Sequence, residues 1–204
     1  INSLVFKGRS TVTQLLKILD EWAENLENGG RIDVVYTDLE KAFDKVPHRR
    51  LLSKLKSYKV HDDLIQWIEA FLLNRQQRVM VNGAASRWAA VLSGIPQGSV
   101  LCPLLFIIYI NDLVEECGTS ANLYLFADDA KLYKHINSMG DVTTLQNEID
   151  KFIVWSDKWL VKLNTNKCKV MSFFHRRHSV DYVEPQYSMK NTKLENVHII
   201  KDLG

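Results

Sequence analysis

The sequence predicts an α+β domain in which a small antiparallel sheet packs on helices. Residues 32–38 predict a buried strand, because β-branched and aromatic residues dominate the segment and run into Asp38. Two short apolar runs, residues 123–126 and 130–133, flank a pair of adjacent aspartates in the pattern of a β-hairpin. Segments whose apolar residues recur at helical spacing lie before, between and after these strands. They predict helices that cover one face of the sheet, opposite the face that carries the acids.

Helices are predicted where apolar residues recur at helical spacing. Residues 11–28 form the first helix, which ends at Gly29-Gly30. Its apolar face comprises Leu15, Leu16, Leu19, Trp22, Ala23 and Leu26. Residues 51–58 and 62–73 predict two further helices. Residues 141–163 predict a long helix, whose apolar positions are Leu145, Ile149, Phe152, Trp155 and Trp159.

Shorter elements fill the remaining chain. Residues 78–81 and 86–91 bracket Asn82-Gly83, a strong hairpin signal. Residues 169–174 predict a strand. Residues 176–193 have the weakest pattern and are interpreted as a loop or irregular hairpin.

Composition is that of one domain with its own core. The chain has 204 residues, of which 46% are hydrophobic and 25% charged. The longest apolar run, residues 100–110, is shorter than the ~20 residues of a membrane span, so no membrane association is expected. Three cysteines without a C-x-x-C pair argue against a disulfide partner or a zinc site. The chain lacks an initiator Met and an apolar leader, and we expect it to be part of a longer protein.

Charge is segregated along the chain although the net charge is only +2. Residues 41–59 carry seven basic side chains and one acid, whereas residues 88–130 contain no Lys or Arg and five acids. The pattern suits a protein that holds phosphates in one region and metal ions in another. Lys54 and Lys56 fit equally well the solvated face of an amphipathic helix.

Acidic residues end both predicted strands. Adjacent carboxylates at Asp128 and Asp129 repel each other unless a cation is brought to them. If the two strands pair, Asp38 and Asp128 converge and, with a substrate phosphate, can hold two Mg²⁺ ions about 3.5–4 Å apart. Oxygen ligands suit Mg²⁺ or Mn²⁺ better than zinc. The alternative is that the aspartates only form the turn.

A glycine-rich segment, residues 92–99, lies between the acids. Its two glycines and Pro96 require a tight turn, and Ser99 can cap a helix over residues 100–110. Gln97 adds a side-chain donor and acceptor beside the free N–H groups of that helix. An ordinary loop-to-helix junction would have the same pattern.

The ordered set of these motifs resembles the reverse transcriptases. Residues 36–44 are similar to their motif A, residues 93–99 to motif B, and Phe126-Ala127-Asp128-Asp129 to motif C. Phe126 at the first position of motif C, together with residues 109–113, is typical of the non-LTR, LINE-type retrotransposons, closest to the jockey-like group. Other matching stretches are residues 6–11, 155–159, 164–171 and 201–204.

The resemblance implies RNA-templated DNA synthesis, in which a primer 3′-hydroxyl attacks the α-phosphate of a dNTP. Asp38, Asp128 and the Leu39 carbonyl would ligate two Mg²⁺ ions, with Mn²⁺ as a substitute. Asp129 would support the site or touch the metal nearest the primer. Lys167 matches the motif D position, where a lysine can protonate the departing pyrophosphate.

Further roles follow from the same resemblance. Pro96, Gln97 and Gly98 would contact the incoming nucleotide or the template. Phe43 would lie beneath the sugar and exclude a 2′-hydroxyl, although by itself it also fits a core position. Nucleic acid would be held by Lys45, Arg49 and Arg50. Both His48 and His61 adjoin turns and are interpreted as structural.

In the family's terms the fold is a polymerase palm with partial fingers elements, all within one reverse transcriptase domain fragment, residues 1–204. Residues 1–30 are assigned to a fingers-derived helix region, residues 31–175 to the palm with a fingers-side hairpin at about 76–91, and residues 176–204 to an irregular segment leading toward the thumb. The expected partners are an RNA template, a DNA primer and dNTPs, in an intracellular ribonucleoprotein of the nucleus or cytoplasm. On its own the fragment should be poorly active. Two alternatives stay open, an inactive nucleic-acid-binding relic and an RNA-templated RNA polymerase.

Overall fold

The computed structural model of the protein describes residues 11–174 and 185–200. Its centre is a five-stranded sheet that consists of β1 (Arg31–Thr37), β6 (Asn122–Phe126), β7 (Asp129–Ile136), β8 (Lys169–Phe174) and β11 (Glu195–Asn196). The strands lie in the order β11-β8-β1-β7-β6. The pairs β8–β1, β1–β7 and β7–β6 are antiparallel, and β11 joins the edge parallel to β8.

Six helices surround this sheet in the described residues: α1 (Thr11–Glu27), α2 (His48–Ser57), α3 (Asp62–Leu72), α4 (Leu101–Ile110), α5 (Leu113–Cys117) and α6 (Met139–Trp159). The predicted helices are confirmed, most of them to within a few residues. The long helix α6 begins at a capping box formed by Ser138 and Asp141. It ends four residues before the predicted limit, because Leu160 adopts a left-handed backbone with φ 58°.

Helices cover both faces of the sheet, not one as predicted. The larger core joins α2–α6 to the face that carries Val35, Leu132 and Val170. On the opposite face, Ile18 and Trp22 of α1 pack on β1, β6 and β7. The prediction of the apolar face of α1 is correct for Trp22 but wrong for other residues.

Leu16 and Leu19 are more than half exposed, and Ala23 is exposed as well. Ile18, which the prediction left out, is buried instead. Two neighbouring apolar stripes run along this helix, and only the position of the sheet decides which of them is buried.

Two hairpins extend from this body. Asn82 and Gly83 turn between β3 (Met80–Val81) and β4 (Ala84–Ala85) with φ 49° and 82°, and β2 (Gln76–Gln77) pairs with β5 (Ala89–Ala90). The predicted hairpin is thus confirmed. A second hairpin joins β9 (Ser188–Met189) to β10 (Thr192–Lys193), in agreement with the irregular hairpin predicted there. Residues 1–10, 175–184 and 201–204, and the predictions made for them, lie outside the described residues.

Lys54 is buried, which contradicts both interpretations offered by the sequence. Its ammonium lies 2.5 Å from Asp112 Oδ1 and 3.8 Å from the ring centroid of Trp159. Trp155 Nε1 also donates to Asp112, and burial lowers the pKa of Lys54 to about 8. Two stretches that the resemblance singled out, residues 109–113 and 155–159, therefore meet around one lysine.

All three cysteines are buried and free. Burial raises the pKa of each thiol, that of Cys117 to about 12. Among the described helices, none has both the length and the apolar character needed to span a bilayer.

Candidate active site

Asp38 and the Asp128-Asp129 pair lie at the same end of the sheet. Strands β1 and β7 pair in antiparallel register, with Thr37 opposite Ala130 and the Thr37 hydroxyl donating to the Ala130 carbonyl at 2.9 Å. Phe126 pairs with Asp129, so the hairpin turn consists of Ala127, at φ 51°, and Asp128. Asp38 follows the last paired residue of β1 and is therefore adjacent to this turn. The pairing on which the predicted convergence depends is confirmed.

The segment after α6 fixes the backbone of Asp38 on both sides. Asn164 N–H donates to the Asp38 carbonyl at 2.9 Å, and the Asp38 N–H donates to Cys168 Sγ at 3.4 Å. One residue further, Glu40 N–H donates to the Lys162 carbonyl at 2.7 Å. These bonds hold the candidate ligand in place without using its carboxylate.

The same bonds orient the Leu39 carbonyl. Leu39 forms an antiparallel bridge with Leu163, in which the Asp38 carbonyl and the Glu40 N–H face residues 162–164. Successive carbonyls along a strand point to opposite sides. The Leu39 carbonyl therefore points away from that segment, towards the side on which β7 and its turn lie.

The donor set suits a hard divalent cation. Within residues 11–174 and 185–200, no three His, Cys, Asp or Glu side chains are close enough together to hold a metal ion. Two partly exposed carboxylates on adjacent strand ends nevertheless match Mg²⁺, which is bound through one or two carboxylates and completed by water and substrate phosphates. Lys167 Nζ lies 4.0 Å from Asp38 Oδ1. Any ion bound by Asp38 would share that carboxylate with the lysine.

The glycine-rich loop of residues 92–99 docks on the loop that follows Asp38. Gly94 N–H donates to the Val46 carbonyl at 2.9 Å, and Ile95 N–H donates to the Phe43 carbonyl at 3.0 Å. Ser93 Oγ donates to the Asp44 carbonyl, and Gln97 Nε2 donates to Asp44 Oδ1, both at 2.9 Å. Motifs A and B therefore form one hydrogen-bonded unit.

The two glycines of this loop have different surroundings. Gly94 has φ +85°, and a Cβ built on it would lie 2.6 Å from the Asp44 carbonyl oxygen. Gly98 has φ +82°, but no atom lies within 4 Å of a Cβ built there. Gly94 is needed for packing against motif A, whereas Gly98 leaves open space that a ligand can approach.

His48 and Arg75 hold the carbonyl of Gly94. His48 Nε2 lies 2.8 Å and Arg75 Nη2 2.6 Å from that oxygen, and the His48 side chain is buried. This contact accounts for His48 as a structural residue, as the sequence predicted. Ser99 Oγ accepts from Cys102 N–H at 3.1 Å. Ser99 therefore caps the start of α4 from the position just before the N-cap residue, Val100. Pro96 accepts from the Ser99 hydroxyl through its carbonyl.

Phe43 is half-buried beside this loop. Its ring packs on the ring of Phe106 in α4, with centroids 4.2 Å apart and planes at 30°. Phe106 itself is fully buried. Phe43 therefore packs against the core and is also partly exposed, as its two interpretations require.

Cations border the site. Glu40 lies between Lys45 at 2.7 Å and Lys162 at 2.8 Å, and hydrogen bonds from these two ammonium groups lower its pKa to about 2. Lys45 also lines a cleft of about 910 Å³, together with Arg75 and the loop of residues 91–97. Arg49 is exposed, and Arg50 donates to the Lys158 carbonyl. Of the three basic residues predicted to hold nucleic acid, Lys45 is in the cleft that adjoins motifs A and B.

Several residues that build the site were not predicted from sequence. Asp44 anchors Gln97, Arg75 holds Gly94, and Asn164 and Cys168 hold Asp38. The resemblance marked residues 164–171 without assigning roles to Asn164 or Cys168. The other contacts join residues far apart in sequence, and no local pattern indicates them.

Fold, site and sequence agree on one class of protein. Residues 4–195 match the model of the reverse transcriptase (RNA-dependent DNA polymerase) family, and the chain belongs to this family.

Among curated relatives, the RNA-directed DNA polymerase from mobile element jockey of Drosophila melanogaster is 29% identical over 201 residues, which cover 95% of this chain. The probable RNA-directed DNA polymerase from transposon BS of the same species is 28% identical over 170 residues and covers 79% of the chain. The chain spans only 21% and 18% of the length of these two relatives.

Solved structures support the fold. Apo telomerase from Candida tropicalis superposes with a TM-score of 0.62 at 13% identity, covering 80% of this chain and 35% of that one. Telomerase from Candida albicans, solved with a fragment of telomeric RNA, gives a TM-score of 0.62 at 12% identity and covers 91% of this chain and 33% of its own. At this identity the likeness establishes a shared fold, the polymerase palm.

Proposed function

We propose that this chain carries the catalytic centre of an RNA-directed DNA polymerase of a non-LTR retrotransposon, which transfers nucleotides from dNTPs to a primer 3′-hydroxyl on an RNA template. The observation that carries the proposal is the β1–β7 register, since it puts Asp38 beside the turn that contains Asp128. Homology to jockey and related elements supports the choice of reaction.

Asp38, Asp128 and the Leu39 carbonyl are proposed to hold two Mg²⁺ ions, with Asp129 as the supporting acid. When bound, the ions would neutralise the charge that develops on the phosphates and lower the pKa of the primer hydroxyl. Asn164 and Cys168 keep the Asp38 backbone in register with the turn. Positioning of this kind contributes a large part of the rate in phosphoryl transfer.

The incoming nucleotide is proposed to lie against Phe43, Pro96, Gln97 and Gly98. The bond from Gln97 to Asp44 holds the amide in a fixed orientation, and the open space at Gly98 admits a ligand. Lys167 is proposed to protonate the departing pyrophosphate. Its ammonium is exposed and can leave the Asp38 carboxylate, to which it is bound only loosely at 4.0 Å.

Template and primer phosphates are proposed to contact Lys45, Arg49 and Arg50, in an intracellular ribonucleoprotein. In the absence of nucleic acid, the ammonium of Lys45 forms an ion pair with the Glu40 carboxylate. The strongest competing function is a nucleic-acid-binding relic without activity. The intact hydrogen bonds between motifs A and B argue against decay at the site itself.

Primer extension tests the proposal. The protein encoded by the complete reading frame that carries this sequence should extend a DNA primer on an RNA template with dNTPs, in a reaction that requires Mg²⁺. Asp128→Asn should lower incorporation by several orders of magnitude. Asp62→Asn, at an exposed residue in the first turn of α3, is the matched control and should retain wild-type rates.

Equal rates of nucleotide incorporation in Asp128→Asn and Asp62→Asn would show that Asp128 is not part of the catalytic site. Absence of extension by the wild-type protein, when it still binds RNA, would favour the relic.

A further inference from the structure

The hairpin that precedes motif B buries almost none of its side chains. Every residue from Gln76 to Ala90 is exposed, including four large apolar side chains, Val79, Met80, Val81 and Trp88, each at 59–66%. So many exposed large apolar side chains on one short element of a folded domain indicate a surface that binds a partner. We refer to residues 75–91 as the arginine hairpin.

The charge of the arginine hairpin points to an anionic partner. It contains Arg75, Arg78 and Arg87, and the sequence has no Asp or Glu between Glu69 and Asp112. The guanidinium of Arg78 stacks over the indole of Trp88 at 4.7 Å. A planar cation on an exposed indole forms a surface that suits a flat aromatic ring with a phosphate next to it.

The hairpin is also continuous with the candidate active site. Arg75, Gln76, Gln77 and Ala90 form one wall of the cleft whose other wall is the motif B loop and Lys45. A strand lying in this cleft would reach Gln97 at one end and the hairpin at the other. The surface is therefore an extension of the site, not a separate patch.

We propose that the arginine hairpin binds an unpaired nucleic-acid strand, with a base stacked on Trp88 and Arg78 and a phosphate held by Arg87. Bases offer their faces to aromatic and guanidinium planes only where they are unpaired. The proposal rests on the proposed polymerase function and deepens it by naming a surface for the unpaired strand. The binding needs neither dNTP nor primer, so it is measured separately from nucleotide incorporation.

Fluorescence anisotropy on the 204-residue chain tests the proposal with a labelled unstructured RNA oligonucleotide and with the matching duplex. Trp88→Ala should weaken binding of the single strand by about 5-fold or more, since one stacked base is lost. Trp88→Phe should restore most of the affinity. Trp67→Ala is the matched control, because Trp67 is equally exposed but lies on α3, stacked on Phe71.

Salt dependence provides a second readout. Arg87→Gln should reduce the slope of log Kd against log salt by about 0.7, the value for one phosphate contact on a single strand. All three substituted residues are exposed, so thermal melts of the variants should match the wild type.

Three outcomes would overturn the proposal. Trp88→Ala and Trp67→Ala could bind the single strand equally well. The duplex could bind as tightly as the single strand and respond in the same way to the substitutions. Sedimentation could show a wild-type dimer that Trp88→Ala dissociates, which would make the hairpin an interface between copies of the chain.

Discussion

Phe43 lies with its ring on Phe106, centroids 4.2 Å apart, while its carbonyl accepts the N–H of Ile95 in motif B. The aromatic ring after the candidate metal ligand is thus fixed at its back by α4 and at its backbone by the motif B loop. If an incoming sugar lies against this ring, as proposed, these two contacts oppose a shift of the ring away from a 2′-hydroxyl.

Sugar selection is the first prediction. Phe43→Val should raise the use of ribonucleotides relative to deoxyribonucleotides by 10-fold or more, if the clash with a 2′-hydroxyl exceeds about 1.4 kcal/mol. The measurement is kcat/KM for a matched ribo/deoxy pair in the complete reading frame's product. A general loss of stability would lower both values and leave their ratio unchanged.

Phe106→Leu should shift the same ratio in the same direction but by less, because it loosens the support behind Phe43. Phe152→Leu, a fully buried aromatic of α6, is the control for a core cavity. If Phe43→Val left the ratio unchanged, Phe43 would be a core residue only, and an RNA-templated RNA polymerase would again be a candidate.

Metal binding is the second prediction. Asp128→Asn should not lower the melting temperature of the chain and can raise it, because it removes repulsion between adjacent carboxylates. Added Mg²⁺ should stabilise the wild type but not the variant, since a ligand that binds only the native state raises its stability. Thermal melts with and without Mg²⁺ decide this. An identical response to Mg²⁺ in both proteins would contradict the metal assignment.

The glycines of motif B give the third prediction. Gly98→Ala should cost about 1–2 kcal/mol, the strain of a left-handed backbone at a residue with a Cβ. Gly94→Ala should cost more, because its Cβ would also collide with the backbone of Asp44 at 2.6 Å. Urea unfolding of both variants compares the two costs. Equal losses would mean that the contact with motif A is dispensable.

Lys54 gives the fourth prediction. Burial lowers its pKa from 10.5 to about 8 in the native state, so between these values the unfolded chain binds more protons than the folded one. The contribution of Lys54 to stability therefore rises with pH in that window, by at most about 1.4 kcal/mol per pH unit. Below pH 8 it is constant.

Urea unfolding of wild type and Lys54→Met from pH 7 to 10 measures this contribution. The free energy of unfolding of the wild type should rise relative to that of Lys54→Met only above about pH 8. A difference that does not vary with pH would show that Lys54 keeps its ordinary pKa despite its burial.

The sequence alone determined the order and type of the main elements, because each depends on local periodicity. The strand that ends at Asp38, the hairpin around Asp128 and the turn at Asn82-Gly83 are specified by residues close in the chain. Family motifs added the class of protein, which the match to residues 4–195 confirmed.

Tertiary structure alone decided which surfaces meet. Both apolar stripes of α1 satisfy helical spacing, and only the sheet selects the stripe that contains Ile18. Lys54 looked solvated because a lysine among polar neighbours normally is, yet Asp112 and Trp159 enclose it from distant parts of the chain. Likewise, the bonds from Asn164 to Asp38 and from Gln97 to Asp44 join residues 126 and 53 positions apart. Contacts at such separations depend on how the helices pack on the sheet, and that packing is not encoded in any local pattern.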